Sequence, residues 1–297
     1  HVFKNSKCTE CHLDHQDSRP IAMQGAGECI LCHGDIKAKH AKTDISDIHD
    51  FSTDHPAFRL AFKTGINASD VRRIVQTDIS KLVENSELKF PHDQHAGLTE
   101  VPWDRATIRD MKCANCHQAD EAGEHFRPIN MKQHCYACHQ DQFDFNLAPE
   151  GRKLPHGSEV ELSNMLRDYY AGLAFRDKKS IKWVDEQLTK ATKSLSADGG
   201  CEYCHSVQPA KDSNNLLKIT PVHLTQDWFP ASKFPHAMHQ AFKCAECHNV
   251  EHSDKSSDVA IPTIQSCKQC HTGIQPARDK VTSSCISCHT FHSNMHI

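Results

Sequence analysis

The sequence is poor in the material of an ordinary globular core. Only 38% of its 297 residues are hydrophobic and 7% aromatic, and the mean hydropathy is −0.61, so one large apolar core is not expected despite the length. No uninterrupted run of eighteen apolar residues occurs, which excludes a membrane-spanning helix within this stretch. An excess of basic charge is missing too: 34 Lys and Arg stand against 38 Asp and Glu, a formal net charge of −4, which argues against a nucleic-acid ligand. Methionine is scarce, at six residues. The chain begins at His1 with neither an initiator Met nor an export leader, which reads as a processed product.

Cysteine and histidine, in contrast, are plentiful and come in one fixed spelling. All sixteen cysteines fall in eight copies of C-x-x-C-H. They are Cys8 and Cys11 with His12, Cys29 and Cys32 with His33, Cys113 and Cys116 with His117, and Cys135 and Cys138 with His139. The others are Cys201 and Cys204 with His205, Cys244 and Cys247 with His248, Cys267 and Cys270 with His271, and Cys285 and Cys288 with His289. C-x-x-C alone also suits zinc ribbons, redox dithiols and disulfides, but none of these requires a histidine after every pair. With 24 histidines in 297 residues, eight such followers by chance have a probability on the order of 10⁻⁹.

The spelling carries the chemistry of covalent c-type haem attachment: two thiols add to the porphyrin vinyl groups, and the adjacent imidazole reaches the iron from the proximal side. Eight covalently attached haem c groups are therefore expected, with His12, His33, His117, His139, His205, His248, His271 and His289 as proximal ligands. With about 37 residues per macrocycle, the porphyrins must supply much of the buried apolar surface, and folding is expected to be coupled to haem binding. The expected fold is mostly irregular loop with short α-helices and little β, organised around a chain of stacked haems. Haem propionates make the assembled molecule more anionic than its sequence, which favours basic partners, cations or oxidised metal species. Because haem joins such motifs after export, the expected location is the periplasm or the cell exterior.

Eight proximal histidines leave sixteen others, twice the number needed to cap every iron on its second face. Methionine, the ligand that raises potential, recurs at no fixed offset from the motifs, so bis-histidine ligation and low potentials are expected. The distal candidates stand in constrained or repeated settings. They are His92 and His95 in Phe90-Pro91-His92-Asp93-Gln94-His95, His236 and His239 in Phe234-Pro235-His236-Ala237-Met238-His239, His55 before Pro56, and His156 between Pro155 and Gly157. His15 and His292, each three residues after a proximal histidine, complete the set. His252, His223, His134 and His40 are reserves, while His1, His49, His125 and His296 read as surface residues.

Four segments are expected: a two-haem segment at 1–55, a linker plus two-haem segment at 56–156, a helical insert with a single haem at 157–233, and a three-haem module at 234–297. The two F-P-H-x-x-H elements lie 144 residues apart, and each leads into two motifs whose first cysteines are 22 or 23 residues apart. An internal duplication accounts for this, with an insertion in the first copy between His95 and Cys113. Residues 41–90 read as loop with a short helix or strand, and 206–233 as a polar linker. Residues 158–195 read as helical, with Val160, Leu162, Leu166, Tyr169, Tyr170 and Leu173 on one face, continued by Trp183, Leu188 and Ala191, and ended by Gly199 and Gly200.

F-P-H-x-x-H followed by C-x-x-C-H is similar to the opening of class III cytochromes c3 and c7, specifically over 234–292 and partially over 90–139. In that family both histidines of the element are distal ligands to two different haems, and the resemblance implies that role for His92, His95, His236 and His239. The whole pattern resembles exported octahaem cytochromes that conduct electrons over distance, some of which polymerise into filaments. This implies electron carriage through closely spaced bis-histidine haems across or outside the cell envelope, with redox proteins or extracellular electron acceptors as partners and, in a filament, further copies of the chain. The alternative is similarity to octahaem nitrite, hydroxylamine or tetrathionate enzymes, which need one iron with an open distal position. Such reductases often replace the proximal histidine by lysine. No C-x-x-C-K occurs here, which favours the carrier.

Overall fold

The computed structural model describes residues 26–290 apart from 68, 78–80, 104–105, 122, 124, 140–153, 198–199 and 211–214. Most of this chain is loop, and the short elements fall where the motifs are. One helical turn spans Cys113–Cys116 and another Cys244–Cys247, while tighter 3₁₀ turns span Cys201–Tyr203 and Cys285–Ser287. A single turn brings side chains three apart to the same side, so both thiols of each motif face one way. The backbone N–H of the following histidine closes each turn, donating to Cys113 O and Cys244 O at 2.8 Å, to Cys201 O at 2.9 Å and to Cys285 O at 2.8 Å. Helix α1 (Ala26–His33) carries the Cys29 motif along its length.

Two helices are long, α2 (Glu159–Arg176) and α3 (Ile181–Leu195). Ser158 and Ser180 cap them, each hydroxyl accepting from a backbone N–H three residues on, that of Glu161 and of Trp183. The helical stretch at 158–195 is thus a hairpin of two helices. The chain turns at Asp177, Lys178 and Lys179, with Lys178 at φ 53°. Leu162, Leu166, Tyr169 and Tyr170 pack on Ala191, Leu195 and Leu217. Val160 departs from the expected face and is 50% exposed, because two residues before Leu162 is more than half a turn round the helix.

The second apolar cluster is Leu60, Phe62 and Ile74, from the antiparallel pair β1 (Arg59–Lys63) and β2 (Val71–Val75). Trp228 packs edge-on against Phe62, with ring centroids 5.2 Å apart, and the Ala61 N–H donates to Trp228 O at 3.1 Å. Residues 206–233 are therefore more than a polar linker. They also form the hairpin of β3 (Val207–Pro209) and β4 (Leu217–Ile219), which buries Leu217. A third hairpin, Thr99–Trp103 with Ala106–Asp110, fills the insertion between His95 and Cys113. The two clusters are small and separate, the short-helix, low-β architecture expected of a chain organised around something other than its own core. Among the described residues no helix is long and apolar enough to cross a membrane.

Candidate haem sites

Six histidines proposed as distal ligands each face the imidazole of a C-x-x-C-H motif. The ring centroids are 6.5 Å apart for His92 and His117, 6.1 Å for His95 and His139, and 5.9 Å for His156 and His205. They are 6.4 Å apart for His236 and His248, 6.0 Å for His239 and His271, and 6.0 Å for His55 and His289. This spacing is too wide for direct contact between the rings, but it matches one metal atom between them. Two metal–nitrogen bonds of about 2.0 Å put the nitrogens about 4 Å apart, and about 1 Å from nitrogen to ring centre on each side brings the centroids to about 6 Å.

The far nitrogens favour the same arrangement. Nδ1–H of His95 donates to Pro91 O at 2.8 Å and that of His239 to Pro235 O at 3.1 Å, so the proline of each F-P-H-x-x-H orients the second histidine. His55 donates to Pro56 O at 2.9 Å, His248 to Ala260 O at 2.9 Å and His289 to Ala231 O at 3.0 Å, while His271 Nδ1 hydrogen-bonds Ser283 Oγ at 2.8 Å. A carbonyl acceptor fixes the proton on Nδ1 and leaves the Nε2 lone pair free for a metal. Burial lowers the pKa of His55, His92, His205, His236 and His271, and the facing imidazole of each pair pushes the same way. Neutral imidazole is the ligating form.

Sulfur chemistry other than thioether attachment fits poorly. None of the fourteen described cysteines is in a disulfide, and among the described residues no group of three His, Cys, Asp or Glu side chains could hold a bare metal ion. Burial raises the thiol pKa of Cys116, Cys201 and Cys204, and that of Cys135 is pushed up to about 11, away from reactive thiolate. The six imidazole pairs open onto one continuous cleft of about 4690 Å³, against about 300–1,000 Å³ for an ordinary small-molecule pocket. Paired imidazoles, adjacent thiols and one apolar cleft fit a row of covalently held macrocycles.

The remaining candidates divide into three groups. Cys29, Cys32 and His33 line the same cleft. Cys8, Cys11, His12, His15 and His292 lie outside the described residues, as do His1 and His296. Of the reserves, His134 is buried with its Nδ1 engaged by Asn130 on its own turn, His40 and His252 are exposed, and His223 keeps Nε2 buried without a hydrogen bond. His49 and His125 are exposed as expected, His49 pairing with Asp54 at 2.9 Å.

Reading the sequence alone missed the groups between the sites. Phe126 lies edge-on to both His117, at 6.1 Å, and His236, at 4.7 Å, and Tyr203 stands 6.5 Å from His139. A lone aromatic in a loop gives no signal of this. The lysine before each F-P-H did give one: the Lys89 N–H donates to Cys204 O at 2.8 Å, and the Lys233 N–H to Cys288 O at 2.7 Å.

A loop-rich fold with imidazoles paired across a common cleft defines a multihaem c-type cytochrome. The family model described as outer membrane cytochrome MtrC/MtrF-like, domains II/IV, matches residues 105–297. The chain belongs to that family, an exported electron-transfer cytochrome with covalently bound haem c. No curated protein and no solved structure matches the chain.

Proposed function

We propose that the chain is an octahaem cytochrome that carries electrons to redox partners or extracellular acceptors through bis-histidine sites. The observation that carries this reading is the set of six imidazole pairs at 5.9–6.5 Å, each joining one C-x-x-C-H histidine to one histidine from elsewhere in the chain. Each pair would hold one iron between an imidazole of the motif and that of His55, His92, His95, His156, His236 or His239. The sites at Cys8 and Cys29 complete the eight, and His15 and His292 are the remaining distal candidates for them.

Bound haem supplies reversible one-electron iron chemistry. Burial and the facing ring favour the neutral, ligating form at His55, His92, His205, His236 and His271, and pairs held in place need not change their ligation between oxidation states. An imidazole on each side at the six sites would leave none with the open coordination that a nitrite, hydroxylamine or tetrathionate enzyme requires. Mass spectrometry of the holoprotein is expected to find eight haem additions, and electron paramagnetic resonance a wholly low-spin ferric spectrum at the six paired sites. Fewer additions would refute the octahaem count. A high-spin ferric signal that responds to nitrite, or rapid binding of carbon monoxide by the reduced unaltered protein, would move the reading to catalysis.

A further inference from the structure

The two halves of the cleft are built by the same contacts. In the first, Leu88 bridges His205, the Lys89 N–H donates to Cys204 O, and Phe90 stacks on His95 at 4.3 Å. In the second, Ser232 bridges His289, the Lys233 N–H donates to Cys288 O, and Phe234 stacks on His239 at 4.4 Å. The turns at Cys113 and Cys244 are capped alike, with Asn115 accepting from the Lys112 N–H and Glu246 from the Lys243 N–H, both at 2.7 Å. The Cys201 motif, which the sequence sets apart behind the helical insert, stands to Phe90 as Cys285 stands to Phe234.

Within each half the order of the sites follows from the backbone. His92 and His95 are one turn apart, the His95 N–H donating to His92 O at 3.0 Å, and they face the Cys113 and Cys135 motifs respectively, so those two sites are neighbours. His236 and His239, on one 3₁₀ turn, make neighbours of the Cys244 and Cys267 sites in the same way. Tyr203 beside His139 puts the Cys201 site next to the Cys135 site. The parallel pairing of His271–Thr272 with Val281–Thr282 puts the Cys285 site next to the Cys267 site.

The halves meet at the Cys113 and Cys244 sites. Phe126 touches the proximal ring of one and the distal ring of the other. Gly123, at φ +67°, passes so close to Ala237 that a Cβ there would lie 2.7 Å from the Ala237 Cβ. At the far end, helix α1 packs on the Cys285–Ser287 turn, which puts the Cys29 site beyond Cys285.

Resting on the haem assignment above, we infer that the described sites form one unbranched row in the order 201, 135, 113, 244, 267, 285, 29. The row consists of two copies of a three-site unit joined head to head at Phe126. Among the described sites, electrons crossing between the units pass the Cys113 and Cys244 sites.

Paired removal of distal ligands in the full-length holoprotein tests the order. His92→Ala with His236→Ala opens the two junction irons, and the high-spin ferric signal of the double variant is expected to fall well below the sum of the single variants, because adjacent spins couple. His95→Ala with His239→Ala opens two irons separated by the junction pair, and its signal is expected to equal the sum of the single variants. Additive signals in the first pair, or coupling confined to the second, would overturn the order. If the single variants show no high-spin signal at all, it is the ligand assignment that fails. Iron positions from electron cryo-microscopy of the unaltered holoprotein decide the order without any variant: the Cys113 and Cys244 irons are expected to be nearest neighbours across the units, and an iron with three close neighbours would end the claim of an unbranched row.

Discussion

The two three-site units share a backbone and differ at their outer ends. In both, the proline carbonyl holds the second histidine of F-P-H-x-x-H, while Nδ1 of the first, His92 or His236, is buried with no hydrogen-bond partner among the described residues. At the third site the copies diverge. His289 donates to Ala231 O and its facing His55 to Pro56 O, whereas His205 Nδ1 is buried without an acceptor among the described residues. Position is therefore fixed by main-chain contacts common to both units, while the electronic character of each ligand is set by a ring hydrogen bond that varies separately.

The largest expected effect breaks the comparison altogether. A chain produced without haem attachment loses what both units fold around, since their apolar clusters are small and haem binding and folding are coupled. The helical hairpin has its own core of Leu162, Leu166, Tyr169, Tyr170, Ala191 and Leu195 and is expected to keep part of the helical circular dichroism while tertiary structure elsewhere disappears. Near-native spectra from haem-free chain would contradict the dependence.

Next in size is the junction. Gly123→Ala puts a methyl against Ala237, an overpacking cost of about 1–3 kcal/mol, in addition to about 1–2 kcal/mol for a left-handed backbone. Gly97→Ala, at φ +78° with nothing within 4 Å of the added Cβ, carries only the backbone cost and serves as the control. Guanidinium denaturation of the two holoproteins separates them. Equal losses would mean that the units are not packed together at Gly123.

These contrasts show what could be read before folding. The described C-x-x-C-H motifs and the six histidines that face them could be picked out beforehand because the proposed ligation needs a particular residue type in a particular local frame: a turn that aligns two thiols and, for His55, His95 and His239, a proline whose carbonyl catches Nδ1. The partnership of Cys201 with Phe90 was hidden by the long helical insert, although Lys89 and Lys233 marked it. Phe126 and Gly123 join the units through His236 and Ala237, more than a hundred positions away, and no local pattern encodes that. Residues 206–233 read as a polar linker, yet Leu217 and Trp228 close the two apolar clusters, because one or two well-placed side chains are enough to close so small a core.

Ring hydrogen bonding sharpens the comparison by a smaller amount. A donated Nδ1–H raises imidazole basicity and favours the oxidised iron, so the Cys285 site is expected to titrate at a more negative potential than the Cys201 site. Ser283→Ala removes the partner of His271 Nδ1, and the potential of that one site is expected to rise by less than about 59 mV, the equivalent of a tenfold change for one electron. Spectroelectrochemical titration of the variant against the unaltered protein reads the shift. A fall, or a shift spread evenly over all sites, would detach the hydrogen bond from the potential.

The smallest expected effect concerns the seam along which the lead-in to the first unit lies against the second. Val83 bridges Asp258, the Glu84 N–H donates to Ser257 O at 3.0 Å, and the Glu84 carboxylate accepts from the Thr225 N–H at 2.8 Å. Burial raises the Glu84 pKa, opposed by the hydrogen bonds from Thr225 and by His223. A carboxyl whose folded pKa lies above its unfolded value contributes stability that is fully present below the unfolded value and is lost as pH rises through the folded one. The holoprotein is therefore expected to lose a little stability as pH climbs out of the ordinary carboxylate range. Glu84→Gln keeps an acceptor for Thr225 and removes the charge, so denaturation of the variant over the same pH span should show a shallower slope. An unchanged slope would mean that Glu84 is solvated in the folded protein, and that the seam between the units is more open than its hydrogen bonds indicate.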